Sequence, residues 1–218
     1  MIAVGIVDDE AIVRSGVALI VRSQPDLEVA GEADDLGSAL ALARELSPDV
    51  MLVDLHLGEE SGLDVIARLL AAASPPRVIV LTTFDADENV YRALRAGASG
   101  FVVKSSPPEH LVAAIRAAAT GDMLISPPVT RRLIEAFLSA PSPVPAAEVA
   151  ALTDREVDVW RAIARGQSND EIAASLFMSV GTVKSHINHL YAKLGVRDRA
   201  QAVIAAYESG VVRVGDGG

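Results

Sequence analysis

The stretch VMLVDLHL, residues 50–57, decides the fold. Val50 to Val53 form a short unbroken apolar run, as expected of a strand covered on both faces, and such strands belong to parallel sheets flanked by helices. Asp54 then ends the run. An ionised carboxylate at the tip of a buried strand is costly unless it is paired, hydrogen-bonded or bound to a metal. What kind of sheet this is and what the carboxylate does are therefore linked questions.

Working outward, similar runs recur at IAVGIV (2–7), LEVAG (27–31), DVMLVD (49–54), RVIVLT (77–82) and GFVVK (100–104), all rich in Val and Ile. Between them lie Ala/Leu-rich stretches near 10–23, 36–47, 62–73, 87–97 and 107–120 that read as helices. Five βα units in series predict a doubly wound α/β domain over 1–121, a five-stranded parallel sheet of order 2-1-3-4-5 with right-handed crossovers. After Gly121 the strand signals stop. Residues 122–147 read as a linker with a short helix and a semi-extended PSPVP tether. Residues 148–212 read as a small all-α domain with helices over 153–165, 170–176, 180–194 and 198–209, and 213–218 as a tail.

Composition narrows the function classes. The chain has 218 residues, half of them hydrophobic, and no cysteine, so disulfides and thiolate metal sites are excluded. No apolar run approaches the roughly 18 residues of a membrane span. MIAVGIV lacks a basic leader region, so no signal peptide and a cytoplasmic location are expected. Residues 1–122 hold 9 Lys/Arg against 19 Asp/Glu, which makes the first half a poor partner for nucleic acid.

In an open α/β sheet, ligands sit beyond the carboxyl ends of the strands. There the sequence places Asp8, Asp9 and Glu10 after the first strand and Asp54 after the third. Thr82 and Thr83 follow the fourth strand, and Lys104 follows the fifth. Three converging carboxylates need a counter-charge, and a hard divalent cation, Mg²⁺ above all, takes such oxygen ligands. A carboxylate also serves as nucleophile toward a phosphoryl group, with Lys104 and the Thr82 hydroxyl neutralising the transferred charge. Singly, Asp9 as a helix cap, Thr82 as a strand end and Lys104 as a snorkelling side chain are adequate readings. Capping does not account for the joint set at four strand ends. A hydrolase working through an aspartyl phosphate needs a second Asp two positions after the nucleophile. His56 stands there, so the chain is not expected to be an enzyme of that kind, or any other.

In the second half, SNDEIAASLFMSVGTVKSHINHLYAKLGV (168–196) places Asn169 and Asp170 to cap a helix, then a tight turn, then a helix with apolar residues at 183, 187, 190 and 194. Its opposite face carries Ser185, Asn188, His189 and Ala192, flanked by Thr182 and Lys184. Helix, short turn, helix is the helix-turn-helix arrangement, whose second helix enters the major groove. Asn pairs with adenine, Lys reaches guanine, and hydroxyls take phosphates. No Asp or Glu occurs from Ile172 through Arg197. The alternative is a small docking module with a solvated polar face. His186 and His189 read as solvated or packing residues rather than metal ligands, and Trp160 as core.

Two resemblances follow. IVDDEAIVR (6–14), VDLHLGEESGLDV (53–65) and VIVLTTFDADENVYRALRAGASGFVVK (78–104) together resemble the receiver domain of two-component response regulators. The resemblance implies Asp54 as phosphoacceptor and Asp8 and Asp9 as Mg²⁺ ligands, completed by Asp54 and the His56 backbone carbonyl. It also implies Thr82 as switch hydroxyl, Phe101 as switch aromatic and Lys104 as the pocket lysine. His56 and Phe84 would flank the path of the hydrolytic water, which predicts a slowly decaying acyl phosphate. Gly58 and Ser105 stand where many receivers carry proline, which leaves the isomer of the Lys104–Ser105 bond open. Residues 152–203 resemble the LuxR-type helix-turn-helix, at Glu156, Gly166, Ile172, Ala173, Leu176, Thr182, Val183, Lys184 and His186. That resemblance implies Lys184, Ser185 and Asn188 as base readers and Thr182 as a phosphate contact, with His189 on the same face.

Together they resemble the NarL/FixJ class. This implies a transcription regulator phosphorylated by a sensor histidine kinase or a small phosphodonor, homodimeric on phosphorylation and bound to operator DNA. Ala202, Val203 and Ala206 of the last helix are expected to form the contact between DNA-binding domains. A phosphorylation-independent regulator of the same architecture is the alternative.

Overall fold

The structure, a computed structural model, describes residues 1–58, 60–83, 88–121 and 151–212. The linker over 122–147 with its expected helix, Phe84 and the tail over 213–218 lie outside the described residues. Two compact units, Met1–Leu124 and Ile125–Gly218, divide the chain.

The first unit alternates strand and helix: β1 (Ile2–Val7), α1 (Ala11–Arg22), β2 (Leu27–Ala33), α2 (Leu36–Leu46), β3 (Val50–Asp54), α3 (Gly62–Leu70), β4 (Arg77–Thr82), α4 (Glu88–Arg95), β5 (Gly100–Val103) and α5 (Pro108–Thr120). The five strands form one parallel sheet in the order β2-β1-β3-β4-β5, the order expected. Val50 to Val53 are wholly buried, because helices cover both faces of the sheet and leave the central strand no solvated side. Asp35 starts α2 with a reciprocal capping box to Ser38, and Ser61 caps α3. Glu10, not Asp9, is the N-cap of α1 and makes no side-chain cap bond, so helix capping does not account for Asp9.

Between β3 and α3 the chain inserts a two-residue antiparallel hairpin, His56–Leu57 against Glu60–Ser61. Two residues are too few to leave a periodic signal, and the sequence reading has no element there. Gly58 turns the hairpin at φ +60°, a left-handed value that glycine adopts freely and that proline's ring forbids. The Lys104–Ser105 bond is trans, as is every peptide bond among the described residues.

The second unit contains α6 (Asp154–Ala164), α7 (Asn169–Leu176), α8 (Val180–Leu194) and α9 (Arg199–Glu208). Its caps are side-chain bonds: Thr153 with Glu156, Ser168 with Glu171, Ser179 to Thr182 N, and Asp198 to Gln201 N. The α7 cap is therefore Ser168, one residue before the expected Asn169/Asp170, because Ser168 and Glu171 complete a capping box that Asn169 cannot. Trp160 is fully buried, and its indole N–H donates to the Ala202 carbonyl at 2.7 Å.

That bond overturns one expectation. Ala202, Val203 and Ala206 are buried in this unit's own core instead of forming a contact face between domains. Their small size admits α9 close against the Trp160 ring, so a stripe of small residues that suggests an interface serves internal packing.

Candidate functional site

The parallel sheet brings its strand ends to one rim. Asp8 follows β1, Asp54 ends β3, Thr82 ends β4 and Lys104 follows β5. Lys104 Nζ lies 2.7 Å from Asp54 Oδ2 and 2.7 Å from Asp8 Oδ2, with Glu10 Oε1 at 3.8 Å. The Asp54 contact is a hydrogen bond. The Asp8 contact is an ion pair, and the buried Asp8 Oδ2 has no hydrogen-bond partner besides it. Asp8 Oδ1 accepts from the Glu10 amide at 2.9 Å.

Asp8, Asp54 and Thr82 are buried, Asp9 is exposed, and Phe101 is half-buried. His56 has its side chain in solvent, and its amide donates to the Asp54 carboxylate. Burial pushes the Asp54 carboxyl above its ordinary range, while the bond and charge of Lys104 and the His56 amide pull it back. For Lys104, burial works against the charge, but the hydrogen bond to Asp54 and the ion pair with Asp8 outweigh it and hold the ammonium above the ordinary lysine value. The cation therefore keeps its proton.

Asp8, Asp9 and Asp54 each offer a carboxylate oxygen within 4.8 Å of the others, and no other such group occurs among the described residues. An all-oxygen donor set in which the buried Asp8 Oδ2 has only the Lys104 ammonium beside it fits a hard divalent cation. Two residues that the strand-end argument misses support this rim. Arg14 Nη1 donates to the carbonyls of Asp8 at 2.6 Å and Asp9 at 3.2 Å, and so fixes the loop that carries the acids. Gly62, at the start of α3, packs directly on the Asp54–Leu55 backbone. Arg14 is findable as the first basic residue one helical turn after the acids. Gly62 gives no local signal, because what it touches lies on another element.

In the second unit, Val183, Ile187, Leu190 and Leu194 of α8 are buried, as their spacing predicts. Thr182, Lys184, Ser185, Asn188, His189 and Ala192 are exposed, and His186 is intermediate. The C-terminal turn of α8 is tied to α6: Lys193 Nζ donates to Glu156 Oε2 at 2.7 Å, and the same oxygen accepts from Thr153 N at 2.7 Å. The Lys193 bond, then the Thr153 amide, draw the Glu156 carboxyl from its ordinary 4.5 down to about 2 against the effect of burial.

A carboxyl depressed on folding stabilises above its unfolded value and loses that contribution as pH falls through the folded one. The second unit should therefore weaken between pH 4.5 and about 2, followed by the fluorescence of Trp160, the single tryptophan. Glu156→Gln should flatten the pH dependence in that window. An unchanged slope would remove the pair from the account.

Residues 4–116 match the response regulator receiver domain, and residues 150–206 match the LuxR family of bacterial regulatory proteins. The chain is a response regulator of the NarL/FixJ class. This response regulator is 38% identical over 213 residues to the transcriptional regulatory protein LiaR of Bacillus subtilis, covering 97% of this chain and 100% of LiaR. It is 41% identical over 199 residues to the nitrate/nitrite response regulator protein NarP of Escherichia coli, covering 91% of each. The crystal structure of the response regulator ChrA of a heme-sensing two-component system is similar, with a TM-score of 0.53, 32% identity and coverage of 97% and 98%. Phosphorylation-dependent regulation of transcription follows from the two domains, and receiver domains bind Mg²⁺ through an acidic pocket such as the Asp8/Asp9/Asp54 cluster. No helix among the described residues is long and apolar enough to cross a membrane.

Proposed function

We propose that Asp54 is the phosphoacceptor of a receiver domain over 1–121, joined through 122–147 to a DNA-binding domain over 148–212. A carboxylate oxygen of Asp54 attacks the phosphorus of a phosphohistidine on a sensor histidine kinase, or of a small acyl phosphate. The donor's bond to phosphorus breaks, and an aspartyl phosphate forms. Asp8, Asp9, Asp54 and the His56 carbonyl would hold Mg²⁺, which supplies charge neutralisation on the phosphoryl oxygens when bound. Lys104 neutralises the same charge from the other side, and Thr82 donates its hydroxyl to a phosphoryl oxygen. Phe101, half-buried beside that rim, moves inward as Thr82 turns. Phosphorylation then favours a homodimer that sets two copies of α8 in successive major grooves, in the cytoplasm, with Thr182, Lys184, Ser185, Asn188 and His189 facing the operator.

The observation that carries this reading is the Lys104 ammonium, 2.7 Å from two buried carboxylates at the rim where Asp9 also lies. Intact mass after incubation with Mg²⁺ and acetyl phosphate tests it. One phosphoryl group should add to the wild type and none to Asp54→Ala. Equal addition in both would move the acceptor elsewhere, and no addition in either would favour control without phosphate.

A further inference from the structure

Phe177 combines a left-handed backbone with a fully solvated aromatic ring. It ends α7 at φ +55°, where an L side chain crowds its own backbone and glycine or asparagine is the usual occupant. Its side chain is 96% exposed, although Leu176 and Met178 on either side both pack against the core. The left-handed backbone costs about 1–2 kcal/mol, and a ring left in water returns none of it by burial, so the strain at this position points to function.

Its position says which function. Phe177 precedes Ser179, the N-cap of α8, by two residues, so their Cα atoms lie within about 7.6 Å of each other. In a helix-turn-helix it is the N-terminal end of the second helix that meets the bases. From Ile172 through Arg197 there is no acidic residue to repel phosphate, whereas Lys184, Lys193 and Arg197 all lie within that span. We propose that the Phe177 ring belongs to the DNA interface and packs on the apolar edge of the duplex, a deoxyribose or a thymine methyl, where α8 enters the groove. The proposal rests on the DNA-binding reading above and adds to it an apolar contact that none of the polar readers supplies.

The test uses the full chain with Mg²⁺ and acetyl phosphate, and a duplex of about 30 base pairs enriched from a random pool by the wild type. Phe177→Gly and Phe177→Asn should raise the melting midpoint of the second unit, read by Trp160 fluorescence, by about 4 °C or more. The same variants should weaken binding about tenfold, the loss expected for one buried aromatic contact. Duplexes with deoxyuridine in place of thymidine separate the two apolar partners, since only a methyl contact is lost with them. Lys184→Ala, the control, should weaken binding without raising the midpoint.

If Lys184→Ala weakens binding and both Phe177 variants keep wild-type affinity, the ring serves a protein surface and the proposal is overturned. If both Phe177 variants lose affinity and melt lower, the ring is structural and the proposal fails as well. If the wild type enriches no duplex from the pool, the DNA-binding reading itself falls.

Discussion

Gly62→Ala is expected to slow phosphoryl incorporation at Asp54 about 100-fold while leaving the second unit as stable as before. A Cβ at this position would stand 2.0 Å from the Asp54 carbonyl oxygen, 2.7 Å from Leu55 Cα and 2.9 Å from Asp54 C. Heavy atoms in favourable contact sit about 3.5–4.0 Å apart, so either α3 or the Asp54–Leu55 peptide must move by more than about 1 Å. Both neighbours are backbone, and neither can rotate away as a side chain would. Phosphoryl transfer depends on placement more than on any other property, and about 1 Å of misplacement costs about two orders of magnitude. Loss of α3 is not the cause, since alanine is the better helix former by about 1 kcal/mol. Gly16 provides the comparison: it lies within α1, and beyond the adjoining backbone of its own helix and its chain neighbours nothing lies within 4 Å of its added Cβ, so Gly16→Ala should stabilise by about 0.5–1 kcal/mol and keep the wild-type rate. Time-resolved intact mass reads both variants. A wild-type rate in Gly62→Ala would show that the loop relaxes without displacing Asp54.

The second large effect lies in the other unit. Trp160→Ala should cost about 3–5 kcal/mol, because it empties the largest wholly buried side chain of a small core. It also removes the indole N–H bond to the Ala202 carbonyl at 2.7 Å, a smaller loss because that carbonyl, inside α9, keeps its helical amide partner. Small domains hold about 5–15 kcal/mol in all, so most of this unit's stability is at stake. Urea unfolding followed by helical circular dichroism should show two transitions, with only the smaller moved to lower denaturant. A shift below about 1.5 kcal/mol would mean that the cavity collapses around α9.

The alternation of Val/Ile runs with Ala/Leu helices predicts the sheet order because parallel crossovers leave few arrangements. The rim follows from that order: once β1 and β3 are neighbours, Asp8 and Asp54 converge, and Lys104, after the edge strand β5, reaches them past β4. Short-range chemistry is equally readable, as the α8 stripe of Val183, Ile187, Leu190 and Leu194 shows. What escapes a linear reading acts between elements. Gly62 against Asp54 and Glu156 with Lys193 are contacts set by packing, with no periodicity to announce them. The misreading of Ala202, Val203 and Ala206 has the same origin: small residues suit a partner helix whether it comes from another chain or, as with α6, from the same one.

The placement of Lys104 has a consequence for how this protein is made. Synthesis delivers Asp8 and Asp9 first, Asp54 next, and the lysine only near the end of the sheet-forming sequence. At about 5–20 residues per second, a growing chain spends seconds with its acidic loops assembled and no ammonium to join them. Closing the rim in that interval would bury Asp8 and Asp54 without the ammonium that lies 2.7 Å from both, which their mutual repulsion opposes unless a divalent cation is bound. The electrostatic latch thus ties completion of the sheet to arrival of its last strand. A ribosome-bound fragment that stops short of Lys104 should stay open and unreactive toward phosphodonors, so competence to carry a signal begins only when the whole receiver has left the exit tunnel.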